Sequence, residues 1–522
     1  MALSIDSATA LGERVRRAAG RLTRSDADAS DDIAVEAPFT GERIGTVPAG
    51  DADDVREAAE RARAAQSAWA DRPRAERAEV LLRFHDLVIE ERDELLDLVQ
   101  REGGKARMGA LEEVLDVATN ARHYAVRADE YLAPERRKGA FPGLTKTTVH
   151  HHPIGVVGVI SPWNYPLTLS VSDALPALLA GNAVVCKPAE TTPFTALAIA
   201  DLLVEAGLPE DLFAVVTGYG PDTGPALVAE SDYVTFTGSG ETGRIVAEQA
   251  GRQLTDCSLE LGGKNPMLVL ADADLDAAVE GALRGSFTNA GQLCISFERI
   301  YVHESVHEEF LDRFVAATDD LQLGAAVGYG YDVGSLASAD QLEKVSAHVE
   351  DARERGATIH CGGQARPDVG PYVFEPTVLT DLPSDADAAC EETFGPVVRV
   401  ESVPDAETAV ERANDSRYGL NAAVYGDRER AADLAPQIEC GTVNVNDPYV
   451  ASWISVDAPM GGMKESGIGR RHGREGIERY TESQTVAVQR GSTAVPDWLP
   501  DRVYEAVVAS GLKLTRHLPG LR

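Results

Sequence analysis

Lysine is nearly missing from this chain: it supplies eight of the 49 basic residues, and those 49 face 84 Asp and Glu, for a formal charge of -35. Such a surface repels phosphate backbones and anionic membranes, so nucleic acid and membrane partners are not expected. An acidic, solvated, halophilic-type exterior is. Cysteine is sparse too. Cys186, Cys257, Cys294, Cys361, Cys390 and Cys440 form no C-x-x-C pair and show no disulfide rhythm, which argues against a metal cage and for a reducing, cytoplasmic compartment. Long apolar runs are lacking. The longest uncharged stretch, 153–172, holds three prolines and an asparagine and makes a poor membrane helix. The first twenty residues have no continuous apolar core and read as a short amphipathic or frayed leader.

What is present is ordinary globular material, 44% hydrophobic and 25% charged over 522 residues, enough for two or three lobes. From Gly155 onward, short β-branched runs (VVGVIS, AVVCK, FAVVTG, YVTFTG, SLELGG, PMLVL) alternate with amphipathic segments, the pattern of an α/β fold around largely parallel sheets. One such segment, TTPFTALAIADLLVEAG, reads as a helix with a threonine cap, Pro193 in its first turn and Gly207 as its stop. Residues 51–134 read as a run of amphipathic helices. The last segment, 495–522, has helical apolar spacing suited to packing on a neighbour.

Three short segments carry candidate chemistry, and each has a bland alternative. Cys294, in FTNAGQLCISFERIYV, follows small and polar residues, although a free cysteine is usually an inert small hydrophobe. Glu260 stands between leucines ahead of a glycine pair; a desolvated carboxyl of this kind suits general-base work, and a structural ion pair is the competing explanation. Asn164, in the proline-bracketed turn SPWNYP, can offer an amide to a developing oxyanion or simply close an Asx turn.

SPWNYP, CKPAE, FTGSGETG, LELGGK, GQLC, EETFGPV and PMGGMKESGIGR, in this order and over roughly residues 35 to 490, resemble the aldehyde dehydrogenase superfamily, most closely its bacterial succinate-semialdehyde dehydrogenases. The resemblance implies a Rossmann-like cofactor domain (30–137 and 153–262), an α/β catalytic domain (263–477), a small β bridging or oligomerisation element (138–152 and 478–490) and a tail (491–522), assembled as a homodimer or homotetramer. It makes Cys294 the nucleophile, Glu260 the base that activates water, and Asn164 with the Cys294 amide the oxyanion hole. It assigns the cofactor to Trp163, Asn164, Lys187, Glu190, Ser239, Gly240, Leu261, Glu392 and Phe394. Gly238, Gly240 and Gly243 spell G-x-G-x-x-G, which read literally makes Asp256 the ribose acceptor; the resemblance points instead to Lys187 and Glu190. A carboxylate at Glu190 favours NAD over NADP, with NADP still possible. The run His150–His152 falls where the resemblance places a bridging strand, and a metal site is not expected there.

The expected activity is oxidation of an aldehyde to an acid through a cysteine thioester, with succinate semialdehyde the first choice of substrate and another short-chain or broad-specificity preference the alternative. A coenzyme A-acylating enzyme is disfavoured by Glu260, and a catalytically silent homologue by the intact Cys294, Glu260 and Asn164. Two departures bear on substrate. Ser172 and Thr288 stand where members acting on succinate semialdehyde carry carboxylate-clamping arginines. Arg471 replaces a glutamate that many members use to relay protons; it either draws a carboxylate-bearing aldehyde towards the cavity or forms a plain surface salt bridge.

Overall fold

A computed structural model describes residues 10–19, 32–138, 144–490 and 498–517. The β-branched runs assemble into a six-stranded sheet in the order Gly467–Ile468, Asp256–Glu260, Tyr233–Thr237, Val156–Ile160, Ala183–Lys187, Phe213–Val215, parallel except for the two-residue edge strand. Val156–Ile160 and Ala183–Lys187 are buried along almost their whole length, as parallel strands covered by helices must be. The chain first extends this sheet to one side of Val156–Ile160 and then returns to the other side with Tyr233–Thr237. Where the order reverses, the carboxyl ends of the strands open a crevice, the usual ligand position in such sheets.

A second sheet of seven strands runs Thr358–Cys361, Thr377–Thr380, Val397–Val403, Phe297–His303, Asn265–Val269, Asn421–Tyr425, Thr442–Val445, again parallel apart from its first edge strand. The two-residue edge strand Gly467–Ile468 pairs with Asp256–Glu260, so the chain segment 263–477 returns to the first sheet before it ends. A third, antiparallel sheet joins Thr481–Gln489, Thr145–Pro153 and Glu135–Arg137. On its middle strand His150 and His152 stack on one another, whereas His151 faces Glu135 and Glu478, both of which already pair with Arg474.

Several local expectations change. Thr192 makes no side-chain cap for the helix Pro193–Glu205. The buried carboxylate of Glu102 caps it from another helix, accepting from the Phe194 amide at 2.6 Å and the Thr195 amide at 2.7 Å. Two adjacent amides at a helix start suit the two oxygens of one carboxylate better than a single hydroxyl. The leader is not frayed over Ala10–Ala19, which forms a helix packed on Pro193–Glu205, with Arg14 and Arg17 on Asp201; residues 1–9 lie outside the described residues. In the tail Asp501–Thr515 is helical and exposes Val503, Val507 and Leu514, with 491–497 and 518–522 outside the described residues. Among the described residues no helix is long and apolar enough to cross a membrane.

Two fully buried ion pairs position the loops at the crevice. Lys105 and Glu113, both 0% exposed, meet at 2.5 Å. The lysine also donates to the Asn164 carbonyl at 2.6 Å, and the second oxygen of Glu113 accepts from the Leu167 and Thr168 amides at 2.8 and 3.1 Å. The pair therefore fixes the SPWNYP turn from both ends, more firmly than its prolines alone. Lys264 and Glu298 repeat the device at 2.6 Å, with Glu298 accepting from the Thr393 and Phe394 amides and Lys264 donating to the Glu391 carbonyl. Removing one partner strands a charge in the interior. Glu113→Ala should lower the unfolding free energy by about 3–5 kcal/mol in urea denaturation. The double replacement Lys105→Met, Glu113→Leu should cost far less, because it leaves no lone charge behind.

Candidate active site

Cys294 lies three residues ahead of the strand Phe297–His303, at the end of a turn whose shape is dictated by its backbone. Asn289, Ala290 and Gly291 all take left-handed φ, at 53°, 53° and 72°. A side chain at Gly291 would place Cβ 2.1 Å from the Gly395 carbonyl, so only glycine fits. Gln292, fully buried, ties the turn to Asn289, Ser335 and Ala337. The Cys294 carbonyl accepts from Asn265 at 2.8 Å, and the bare backbone of Gly263 passes so close that a Cβ there would lie 2.6 Å from it. Asn164 closes the arrangement by donating its amide to the Gln292 carbonyl at 3.1 Å. The SPWNYP and GQLC turns, far apart in sequence, are thus locked together beside the thiol.

Two cavities meet at Cys294 and Asn164. One, of about 680 Å³, follows the crevice and is lined by Trp163, Ser239, Glu260, Leu261, Glu392 and Phe394. The other, of about 470 Å³, runs the opposite way between Tyr165, Ser172, Trp453, Met460, Arg471 and His472. In the first cavity Trp163 and Phe394 meet edge to face at 5.5 Å. Glu392 accepts from the Gly263 amide at 2.8 Å and sits where a Cβ on Gly262 would come within 2.4 Å. Ser239 caps the helix Gly240–Gln253, whose positive amino end opens at this crevice. A Cβ on Gly243 would strike Leu261 at 2.5 Å, which explains the third glycine as helix–sheet packing. The glycine cradle, the helix end and the two rings are suited to a dinucleotide.

Not every anticipated residue lies along this lining. Lys187 and Glu190 sit one strand over, at the carboxyl end of Ala183–Lys187, joined at 3.1 Å, with Glu190 also accepting from the Gly220 amide at 2.6 Å. Gly240 opens its helix without lining the cavity. Asp256 is exposed at the far end of the strand that ends in Glu260, a full strand length from the crevice. Ser172 donates to Asp116 at 2.8 Å and Thr288 to the Arg284 carbonyl at 2.7 Å.

Arg471 is not at the surface. It is 9% exposed, donates to Asp173 at 2.5 Å, and lines the second cavity. The surface salt bridge expected as its alternative role is therefore excluded: Met460 and Arg471 exchange backbone hydrogen bonds at 2.7 and 2.8 Å, and this pairing turns the side chain inward. Arg479 takes the other oxygen of Asp173 at 2.6 Å. Burial works against a charge on Asp173, yet the two guanidinium groups hold its carboxyl down at about 2.

The same burial acts on the reactive groups. The Cys294 thiol is pushed up to about 12 by desolvation, then by Glu392 and Glu260, against the pull of Arg471. Glu260, whose Oε1 is buried without a hydrogen-bond partner, is pushed up to about 7 by desolvation, with Arg471 again the largest opposing influence. The backbone makes room for this carboxyl at Gly461, where a Cβ would lie 3.1 Å from Oε1. A protonated thiol and a carboxyl poised near neutrality line one cleft. Lys105, Glu113, Asp173, Arg479 and His472 escape a reading of motifs, because each acts through a partner distant in the chain or through the cavity it faces.

A dinucleotide crevice opening onto a half-buried thiol and a carboxyl with no partner for its Oε1 among the described residues marks a nicotinamide-dependent oxidoreductase. Residues 25–486 match the aldehyde dehydrogenase family model. The chain is 51% identical over 497 residues, 95% of its length and 96% of the relative's, to a Mycolicibacterium smegmatis protein named "Putative succinate-semialdehyde dehydrogenase", NADP(+)-type. It is 37% identical to the NADP(+) succinate-semialdehyde dehydrogenase of Escherichia coli, over 89% of this chain and 95% of that one. The NAD+ complex of a Bacillus cereus aldehyde dehydrogenase superposes with a TM-score of 0.84 at 36% identity, covering 88% of this chain and 94% of that one. The chain belongs to the aldehyde dehydrogenase family and is an NAD(P)-dependent oxidoreductase acting on aldehydes.

Because the thiolate is the reactive form, alkylation of Cys294 by iodoacetamide in the protein without nucleotide should be slow at pH 7 and rise about tenfold per pH unit up to pH 9. Glu392→Gln, which removes a neighbouring negative charge, should speed it. Mass spectrometry of the Cys294 peptide, compared with exposed Cys390, reads the rate.

Proposed function

We propose that this protein oxidises succinate semialdehyde to succinate, with Cys294 as nucleophile, Glu260 as general base, and the Asn164 amide and Cys294 N–H as oxyanion donors. The observation that carries the reading is the meeting of two cavities at one thiol, the larger suited to a dinucleotide and the smaller bounded by a buried arginine. Glu260 first takes the thiol proton, since a thiol held so high is otherwise unreactive. The sulfur attacks the aldehyde carbon, and the charge that gathers on oxygen is met by two donors in a water-poor site. Bound nicotinamide supplies the acceptor for the hydrogen and electron pair that leave this carbon. A thioester remains on Cys294. Glu260 then removes a proton from water, the water oxygen attacks the thioester carbon, the C–S bond breaks, and the acid departs from the restored thiolate.

Trp163, Ser239, Leu261, Glu392 and Phe394 would hold the nicotinamide half and the pyrophosphate, and Lys187 with Glu190 the adenosine ribose. The Glu190 carboxylate accepts hydrogen bonds from ribose hydroxyls and repels a 2′-phosphate, which supports NAD as the preferred cofactor although the relatives' names carry NADP(+). The choice of succinate semialdehyde rests on those names and on Arg471, whose guanidinium spends one nitrogen on Asp173 and has no further hydrogen-bond partner among the described residues. An acidic exterior and a short antiparallel sheet with an exposed strand at its edge support a cytoplasmic homo-oligomer, a dimer or a tetramer, working in high salt.

Kinetics with succinate semialdehyde and with uncharged butanal, each with NAD and NADP, test this reading. The expected result is a higher kcat/KM for the acid aldehyde, a higher one with NAD, and succinate as product even when coenzyme A is added. Arg471→Ala should lower the acid-to-neutral ratio about tenfold or more, the worth of a charge-assisted pair; Arg479 keeps Asp173 paired in that variant. An unchanged ratio defeats the role of Arg471.

Since Glu260 acts when ionised and its carboxyl stands near 7, thioester hydrolysis should fall as the pH drops below about 7 and level off above it. Glu260→Gln should flatten this profile and lower the rate by about 10²–10⁴-fold, with the acyl-enzyme accumulating in a mass spectrum.

A further inference from the structure

His472 has no structural reason to be a histidine. It takes φ 65° and ψ 166°, a conformation that glycine occupies freely and other residues adopt only under strain. Its backbone has no freedom to relax. Arg471, before it, is bound to Met460 through both N–H and carbonyl; Gly473, after it, donates to the Val456 carbonyl at 2.7 Å; and the His472 carbonyl accepts from Gly476 at 2.8 Å. The side chain returns nothing for this strain within the protein. It caps no helix, Nδ1 is buried without a partner, and the imidazole makes no hydrogen bond or ring contact among the described residues, although the residue is only 5% exposed. A buried polar ring left unsatisfied at a strained position is costly unless something else binds it.

His472 lines the cavity that ends at Cys294, beside Arg471. We infer that His472 is a specificity-determining residue whose imidazole N–H donates a hydrogen bond to the distal carboxylate of the substrate, completing with Arg471 a two-residue acid-binding end for the cavity. The inference rests on the reading of the substrate as a carboxylate-bearing aldehyde. A neutral imidazole suits the place: burial, with Arg471 adjacent, pushes its pKa down to about 3, so it offers a donor without a second positive charge. The acid already in this wall does not compete. Asp116 is engaged by Ser172 at 2.8 Å, by Asn120 at 3.0 Å and by the Trp453 indole.

The test compares wild type, His472→Gly and His472→Asn. Glycine relieves the backbone and removes the donor; asparagine tolerates positive φ and keeps an N–H donor. Two readouts are taken: the ratio of kcat/KM for succinate semialdehyde to that for butanal, and the competitive Ki of succinate. His472→Gly should lower the ratio and raise Ki, each about tenfold, and His472→Asn should restore both to within about threefold of wild type. Wild-type preference for the acid aldehyde that survives unchanged in His472→Gly overturns the role of His472 and leaves the substrate reading intact. No preference in wild type overturns the substrate reading itself, and this inference with it. Should His472→Gly fail to fold, wild-type Ki and ratio in His472→Leu, which keeps bulk and loses the donor, overturn it as well.

Discussion

The catalytic corner hangs on a lysine that never meets water. Lys105 donates at once to Glu113 and to the Asn164 carbonyl and lies 3.8 Å from the centre of the Tyr165 ring, so one ammonium group touches two of the six residues in the SPWNYP turn. Burying two charges costs more than their attraction returns unless the remaining lone pairs are filled. Here they are filled by the backbone amides of Leu167 and Thr168. The cost thus becomes positional information. The amides can satisfy Glu113 only if the helix Pro166–Val171 starts where it does, and that start fixes Asn164 two residues earlier. Lys264 and Glu298 place Phe394 by the same logic, although Phe394 itself must accept φ 55° to do so. Two ion pairs from opposite lobes clamp the two sides of one crevice.

Burial within the protein then sets the chemistry. Desolvation by the surrounding protein favours the protonated forms of Cys294 and Glu260, and the carboxylates around the thiol push it further in that direction. The counterweight is the Asp173 cluster, in which one carboxylate shares two arginines and leaves a net positive charge behind Glu260. Without it, desolvation would carry Glu260 well above neutrality and out of use as a base. Arg471 therefore acts on Glu260, the proposed base, through its field. Its effect on the thiol has the same sign, since it favours both anions.

Much of the fold was legible in the sequence, because strand and helix periodicities are local. The parallel sheets and the helices of 51–134 follow from short runs, and the motifs in their order lead to the family. What was not legible depends on partners far away. Thr192 looks like a cap in its own neighbourhood, but Glu102, 91 residues upstream of Pro193, holds the amides instead. Arg471 reads as a surface residue in a basic stretch, GRRHGR, until the pairing of its backbone with Met460 turns it inward. Lys105 has no motif, and its importance appears only once Asn164 is folded over it. His472 is hidden for another reason: its signal is a dihedral angle, and no residue pattern announces that a histidine occupies a glycine's conformation.

The proposed substrate end is built from residues other than those the resemblance leads one to expect. Serine at 172 and threonine at 288 look like losses if only the missing arginines are counted. Folded, Ser172 is one of three donors that satisfy Asp116, and Thr288 lies within 3.3 Å of the Tyr449 hydroxyl, which also reaches Glu112. An arginine at either place would have to break one of these networks. On the reading proposed above, the positive charge is instead carried by Arg471, which lines the same cavity as Ser172 and is anchored from behind by Asp173. Anchoring from behind matters, since an arginine held only by its substrate would give up side-chain freedom at every binding event.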